Sequence, residues 1–270
     1  PTLCPCSFPV KMGDSNASWD SITEEEADKQ IFLTSKNEWE NSKCKLRVEK
    51  SLYKWGSKYN CIKVLEVDSG TVRVLKVAKE NPSPEQYYDT VKIQSLGSLC
   101  CTLFCKVTPK TCKPSFLQCN IYMLKQRPNQ PLILAEDLVE GDYTKKVVGI
   151  LPATASKEDV LESHKFAMFS FYTFFQSEGG MAIDKVISAS GMWSAPVIHS
   201  VDKTLGGAED RGHDGIAKWK QEFCDRYSPL LSIEPDDLLK SNAKELIKRF
   251  EAEGFFGAVS EITDSPPKKA

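Results

Sequence analysis

Apolar and polar positions alternate most clearly between Cys61 and Val77. Cys61-Ile62-Lys63-Val64-Leu65-Glu66-Val67 and Thr71-Val72-Arg73-Val74-Leu75-Lys76-Val77 flank Asp68-Ser69-Gly70. Two β-branched runs about a glycine turn predict a hairpin, with Lys76 near the end of its second strand. Beyond Pro82 and Pro84 the period lengthens: Tyr88, Val91, Leu96, Leu99 and Leu103 recur at helical intervals from Tyr87 to Cys105. Phe116 to Leu124 and Leu132 to Leu138 read as a further strand pair about the turn-forming Arg127-Pro128-Asn129-Gln130. After a linker from Gly149 to Ala155, Ser156-Lys157-Glu158-Asp159 opens a helix. Its Val160, Leu161, His164, Ala167, Met168, Phe171, Phe174 and Phe175 make a broad apolar face, the expected core of a second lobe.

A short strand over Gly180 to Asp184 follows, then a loop at Ser194 to Ser200. The Gly-rich turn Gly206 to Gly212 precedes a helical run from Gly215 to Tyr227, and an amphipathic helix is expected over Pro235 to Glu253. The N-terminal part is less regular. Residues 1 to about 20 carry no periodicity, Thr23-Glu24-Glu25-Glu26 has capping-box spacing that predicts a short helix to Gln30, and Trp39 to Tyr59 fits strand or helix. Asp264 to Ala270 reads as a disordered tail.

At 270 residues the chain suffices for one large domain or two small lobes with separate cores. Hydrophobic residues at 41% and charged residues at 27% exclude wholesale disorder. The 35 Lys+Arg against 37 Asp+Glu leave a formal charge of −2, so no basic surplus points to nucleic acid or an anionic membrane as a partner. No apolar run is long enough to cross a bilayer, and the first residues lack the order of a signal peptide, although a start at Pro1 marks a processed or excised chain.

Ten cysteines are many, but Cys100, Cys101 and Cys105 fall inside an apolar helical run, where Cys acts as a small buried hydrophobe. There is no C-x-x-C pair to suggest a zinc ribbon or a thioredoxin-type site. Reduced thiols and a cytoplasmic chain are therefore expected. Cys4-Pro5-Cys6 and the sequon Asn16-Ala17-Ser18 speak for the alternative, a secreted ligand-binding protein stapled by disulfides.

Three stretches resemble the alpha-kinase family, the atypical kinases that include myosin heavy chain kinase, elongation factor 2 kinase and the channel-kinases. They are Val74-Leu75-Lys76 followed by Tyr87-Tyr88-Asp89-Thr90-Val91-Lys92-Ile93-Gln94; Glu136 to Tyr143; and Pro196-Val197-Ile198-His199-Ser200 running to Gly215-Ile216. The resemblance runs from about Lys54 to Pro229. It implies a two-lobed α+β fold, with an antiparallel sheet and a helix in the N-lobe and a mixed α/β C-lobe. The chain then divides into an irregular arm over 1–30, an N-lobe over 31–138, a C-lobe over 139–262 and a tail over 263–270.

The resemblance also implies ATP as the nucleotide of the cleft. The family's phosphate-contacting lysine falls on Lys76 rather than Lys79, and its hinge glutamate at the adenine edge falls on Glu136. Its Gly-rich loop keeps Gly206, Ala208 and Gly212, with Asp210 in place of Asn. Each such residue alone is ordinary surface chemistry; the resemblance makes them candidates.

Departures from the pattern concern the chemistry. The family places D-x-Q-G after the strand and an Asp before a Pro in the next loop. Counted back from Pro196, these positions are Lys185, Ile187, Ser188 and Ala195. Phosphoryl transfer relies on carboxylates to hold Mg²⁺ and orient the nucleophile, and Lys185 inverts that field. A shift by one residue recovers only Asp184. The carboxylate of Asp210 would repel a triphosphate unless a metal intervened. The family's zinc ligands, two His and two Cys, become Phe171, Phe223, Asp225 and Pro229, with Cys224 alone nearby. Zinc is therefore not expected, and an aromatic plug is expected in its place.

These observations point to a catalytically degenerate alpha-kinase-like domain, a pseudokinase that binds a protein partner or a small ligand in the interlobe cleft. The alternative is an enzyme. It would be either a Ser/Thr kinase holding metal through Asp184 and Asp210 or a fold reused for unrelated chemistry.

Overall fold

The computed structural model describes residues 19–55, 58–80, 82–109, 112–139, 145–149 and 156–256. Cys4, Cys6, the sequon at Asn16, the acidic loop from Glu140 to Tyr143, most of the 149–155 linker and the C-terminal tail lie outside them. In chain order the elements begin with β1 (Glu24–Leu33), β2 (Glu38–Val48), β3 (Lys54–Trp55), β4 (Tyr59–Glu66), β5 (Thr71–Ala78) and α1 (Pro84–Phe104). Then come β6 (Ser115–Phe116), β7 (Cys119–Leu124), β8 (Leu132–Asp137), β9 (Lys145–Val148) and α2 (Lys157–Gln176). The chain continues through β10 (Met181–Ala189), β11 (Met192–Ser200), α3 (His213–Leu231), α4 (Pro235–Lys240) and α5 (Ala243–Ala252).

The N-lobe sheet runs β2-β1-β7-β8-β5-β4-β3, and β2 also pairs with β4. Six antiparallel strands thus close into a barrel with β3 appended, and closure removes the exposed edges that invite aggregation. Leu46, Ile62, Val64, Leu75, Leu124, Ile133 and Ala135 form one buried cluster from its strands. Lys29 Nζ at 2.9 Å, Arg73 Nε at 3.0 Å and the Ser69 hydroxyl at 3.0 Å all reach Glu66, as does the Tyr122 hydroxyl. Burial would raise the Glu66 pKa, but these donors and cations hold it below the ordinary range.

Helix α1 starts at Pro84, a residue pre-organised for the first turn, and the Gln86 side chain accepts from the Ser83 N–H at 2.9 Å. Its first half, through Tyr87 and Val91, packs on Phe32, Cys119, Ile121 and Leu134 of the N-lobe. Its second half, through Cys101 and Phe104, belongs to the C-lobe core with Phe116, Phe169 and Trp193. The C-lobe sheet runs β6-β11-β10-β9, with β6 parallel to β11 and the rest antiparallel. Helix α2 packs on it; Ser156 caps that helix by accepting from the Asp159 N–H at 3.1 Å.

The hairpin at Gly70 and helices α1 and α2 match the expectations. Four differences have physical causes. Residues 24–30 form part of strand β1 rather than a helix and join the barrel rather than an arm, because Glu24 and Glu25 find Arg47 and Arg127 across the sheet. Phe116 pairs in the C-lobe sheet and not with the strand at Leu132. The strand expected to end at Asp184 runs to Ala189, and Ser194–Ser200 is its antiparallel partner rather than a loop. The C-terminal helix breaks at Ser241 and Asn242, where Asn242 recaps α5 by accepting from the Lys244 N–H at 2.9 Å. No disulfide joins the eight described cysteines to one another, and burial pushes Cys100 up to about 11, well into the protonated range. No helix among the described residues is long and apolar enough to cross a membrane.

Candidate functional site

The β5–β8 register places Val74 opposite Glu136, so Lys76 lies diagonally across from it on the same face. There the Lys76 ammonium and the Glu136 carboxylate form an ion pair, with side chains 20% and 8% exposed. Glu136 sits inside the sheet, opposite Cys119 on one side and Val74 on the other. Its carboxylate faces the lysine. Around the pair, burial raises the Tyr59 hydroxyl pKa against the opposing effect of Lys76, and burial and then Glu136 raise that of the Cys119 thiol. Tyr59 and Cys119 carry no periodicity signal that would have singled them out.

The residues that the resemblance assigns to the catalytic floor lie on the β10–β11 hairpin, and two irregularities shape it. Between the pairs Ile183–Ile198 and Lys185–Val197, β10 carries one extra residue, Asp184. Between Lys185–Val197 and Ile187–Ser194 the extra residue is on β11, in the Ala195-Pro196 segment. Bulges of this kind re-aim side chains. Lys185 is exposed, Ile187 is half-buried, and Ser188 is fully buried, donating to Glu162 of α2. Glu162 also accepts from Trp193 Nε1 at 3.1 Å. Ala195 is exposed and holds φ at 47°, a left-handed conformation unusual for a residue with a Cβ.

Gln94 of α1 reaches across to this strand. Its side chain accepts from the Ala195 N–H at 2.7 Å and donates to the Leu117 carbonyl at 2.7 Å, while 3% exposed. No local pattern marks that glutamine for the task.

Asp184 and Asp210 both come to His199. Asp184 Oδ2 lies 3.8 Å from Nε2 and Asp210 Oδ1 lies 4.0 Å from Nδ1. Nδ1 accepts from the Arg211 N–H at 3.2 Å, which puts the proton of the neutral ring on Nε2, toward Asp184. Burial lowers the His199 pKa, Asp184 opposes this and Arg211 reinforces it.

Asp210 is turned inward. It accepts from the Ser200 N–H at 2.9 Å, the Gly212 N–H at 2.9 Å, the Gly206 N–H at 3.1 Å and the Ser200 hydroxyl. Although burial works the other way, these bonds hold its pKa below the ordinary carboxylate range. The backbone donors of Gly206 and Gly212 are thus spent on an internal anion. Gly206 tolerates no side chain, since a Cβ would lie 1.9 Å from the Ile198 carbonyl oxygen. Ala208 is exposed in a 3-10 turn over Gly207–Glu209, which packs against α1 near Ile93.

Phe171 and Phe223, on which the family resemblance places two of the zinc ligands, are fully buried and stacked, with centroids 5.2 Å apart and planes 15° apart. Neither ring offers a donor to a metal, so the residues present do not fit zinc. Trp219 at 5.3 Å and Tyr227 at 5.0 Å extend the stack from Phe223. Among the described residues, no group of three or more His, Cys, Asp or Glu is placed to hold a metal ion.

Comparison with known proteins agrees with this architecture. The model of the alpha-kinase family matches residues 53–227. The apoenzyme alpha-kinase domain of myosin-II heavy chain kinase A superposes with a TM-score of 0.64 at 21% identity, covering 79% of this chain and 98% of that one. The complex of the myosin heavy chain kinase A domain with AMP gives 0.60 at 22% identity, over 74% and 94% of the two chains. An inactive variant of the same kinase domain complexed with ATP gives 0.62 at 21% identity, over 75% and 93%. No curated protein matches the chain. With the family model matching residues 53–227, across both lobes, the chain belongs to the alpha-kinase family.

Proposed function

We propose that this domain does not transfer phosphoryl groups and works as a binding or scaffold module that retains a nucleotide-sized cleft. The carrying observation is the floor: where the family pattern calls for two aspartates, Lys185 is a solvent-exposed cation and Ala195 has no functional group. Two single aspartate-to-alanine variants of myosin heavy chain kinase A are described as inactive and bound to ATP. Those two aspartates are ten residues apart, as are Lys185 and Ala195. Loss of either anion is thus compatible with a nucleotide in the cleft of that relative and incompatible with its activity.

The remaining acids are engaged elsewhere: Asp210 is saturated by loop donors, and Asp184 flanks His199. ATP binding would rest on Lys76, oriented by Glu136. An ATP-dependent phosphorylation assay with Mg²⁺ or Mn²⁺ and a generic protein substrate tests the proposal. No transfer above background is expected. Phosphorylation that disappears in an Asp184→Asn variant would establish the competing reading, a divergent kinase built on the bulged acid.

A further inference from the structure

A groove of about 460 Å³ opens on the N-lobe between the β1–β2 hairpin and the first turns of α1. Neither Lys76 nor Glu136 lines it, so it is separate from the cleft discussed above. Its apolar lining is the rings of Trp39 and Tyr88, with the buried Phe32 behind Trp39. Phe32 meets Trp39 at 5.2 Å, and Trp39 meets Tyr88 edge-on at 5.0 Å. On the hairpin, Gln30 and Asn41 are direct cross-strand partners, two positions along the same face from the Phe32–Trp39 pair.

The α1 wall presents Glu85 and Asp89, four residues apart and both exposed. The carboxylate of Glu85 is held below its ordinary range by backbone hydrogen bonding in the first helical turn, which keeps it anionic. Lys92 also lines the groove, but its ammonium sits 5.8 Å over the Phe32 ring, beside the aromatic run. The hairpin wall carries the more telling feature: Gln30 Oε1 is buried and finds no hydrogen-bond donor among the described residues. A buried acceptor without a donor is rare in folded proteins and points to a missing partner.

We propose that this groove receives an arginine side chain presented by a protein partner. The two carboxylates favour a cation, and the rings favour one that can lie flat on a π face. Gln30 Oε1 adds the requirement for N–H donors. A guanidinium meets all three demands, with five donors on a planar frame. A lysine ammonium supplies donors without the plane, and a trimethylated lysine supplies no donor at all.

The test is a titration of the full ¹⁵N-labelled chain with acetyl-Ala-Arg-Ala-amide, alongside its lysine and citrulline counterparts. The Trp39 indole and the Gln30 side-chain amide signals should shift saturably with the arginine peptide. Affinity should fall about tenfold or more with citrulline and in a Glu85→Gln/Asp89→Asn variant, as charge-assisted hydrogen bonds are lost. Both substituted acids are exposed, so that variant should fold as the parent does. Gln30→Leu removes the stranded acceptor, so it should melt no lower than the parent while binding the peptide more weakly. The proposal is overturned by the absence of a saturable shift, by citrulline or lysine binding as tightly as arginine, or by undiminished binding in Gln30→Leu.

Discussion

Phe171 on α2 and Phe223 on α3 lie face to face, 5.2 Å between centroids, where the resemblance to the alpha-kinase pattern would place metal ligands. A structural zinc supplies folding free energy directly, so its replacement has to stabilise the same helix junction by other means. Two fully buried rings do so by apolar burial, worth roughly 2–3 kcal/mol each. Phe171→Ala should therefore cost about 3–5 kcal/mol in urea unfolding. A chelator should leave the melting temperature of the parent unchanged. Stoichiometric zinc in protein purified without chelator would contradict this account.

The Lys76–Glu136 pair should govern nucleotide affinity. ATP is expected to raise the melting temperature to the same extent with and without Mg²⁺, since Lys185 and Ala195 offer the metal no side-chain oxygen. Lys76→Met should abolish that shift and destabilise the domain by about 3 kcal/mol, because it leaves the Glu136 carboxylate buried without its cation. Adding Glu136→Gln should restore part of the stability and none of the ATP response. A shift that depends on Mg²⁺ would argue against a metal-free mode of binding.

Stability should fall in mild acid because of two histidines. Burial, reinforced by Arg226, lowers His164 from 6.5 to about 4, and His199 is shifted in the same direction. Above 6.5 the ring of His164 is neutral in both states. Between 6.5 and about 4 the unfolded chain takes up a proton that the folded chain refuses, so stability declines with falling pH through that window. Glu66 and Asp210, whose pKa values are depressed, add their own losses only further down, as pH falls through the carboxylate range. His164→Gln should flatten the upper part of the decline without removing the contribution of His199. Urea midpoints measured across the window check this.

Ala195 carries backbone strain that a single substitution should relieve. With φ at 47°, an L residue pays roughly 1 kcal/mol for the left-handed conformation, and glycine does not. Ala195→Gly should raise stability by about that amount, against the usual cost of introducing glycine into a strand. Equal or lower stability would show that the bulge needs the methyl group.

Much of this was legible in the chain, and what was not has definite causes. The β4–β5 hairpin and the two long helices follow from local periodicity and local caps. The strand at Glu24 does not: its capping-box spacing is local, whereas the Glu25–Arg127 pair that competes with it spans 102 residues. Closure of the barrel through β2 and β4 is likewise a matter of register, which composition does not encode. In the site, Lys76, Glu136, Asp184 and Asp210 were nameable from the resemblance. The inward turn of Asp210 and the bridging role of Gln94 depend on backbone donors supplied by other segments.

Helix α1 and strand β6 also determine how the protein can be cut. The chain leaves the N-lobe along α1, contributes Phe104 and Phe116 to the C-lobe core, and only then returns to the barrel as β7. Severing the backbone after Leu138 would therefore not release two autonomous halves. The downstream fragment would lack the strand beside β11 and the rings that pack against Phe169 and Trp193. The upstream fragment would carry those rings exposed to water. The two pieces should be insoluble when produced apart and should recover a cooperative fold only when produced together.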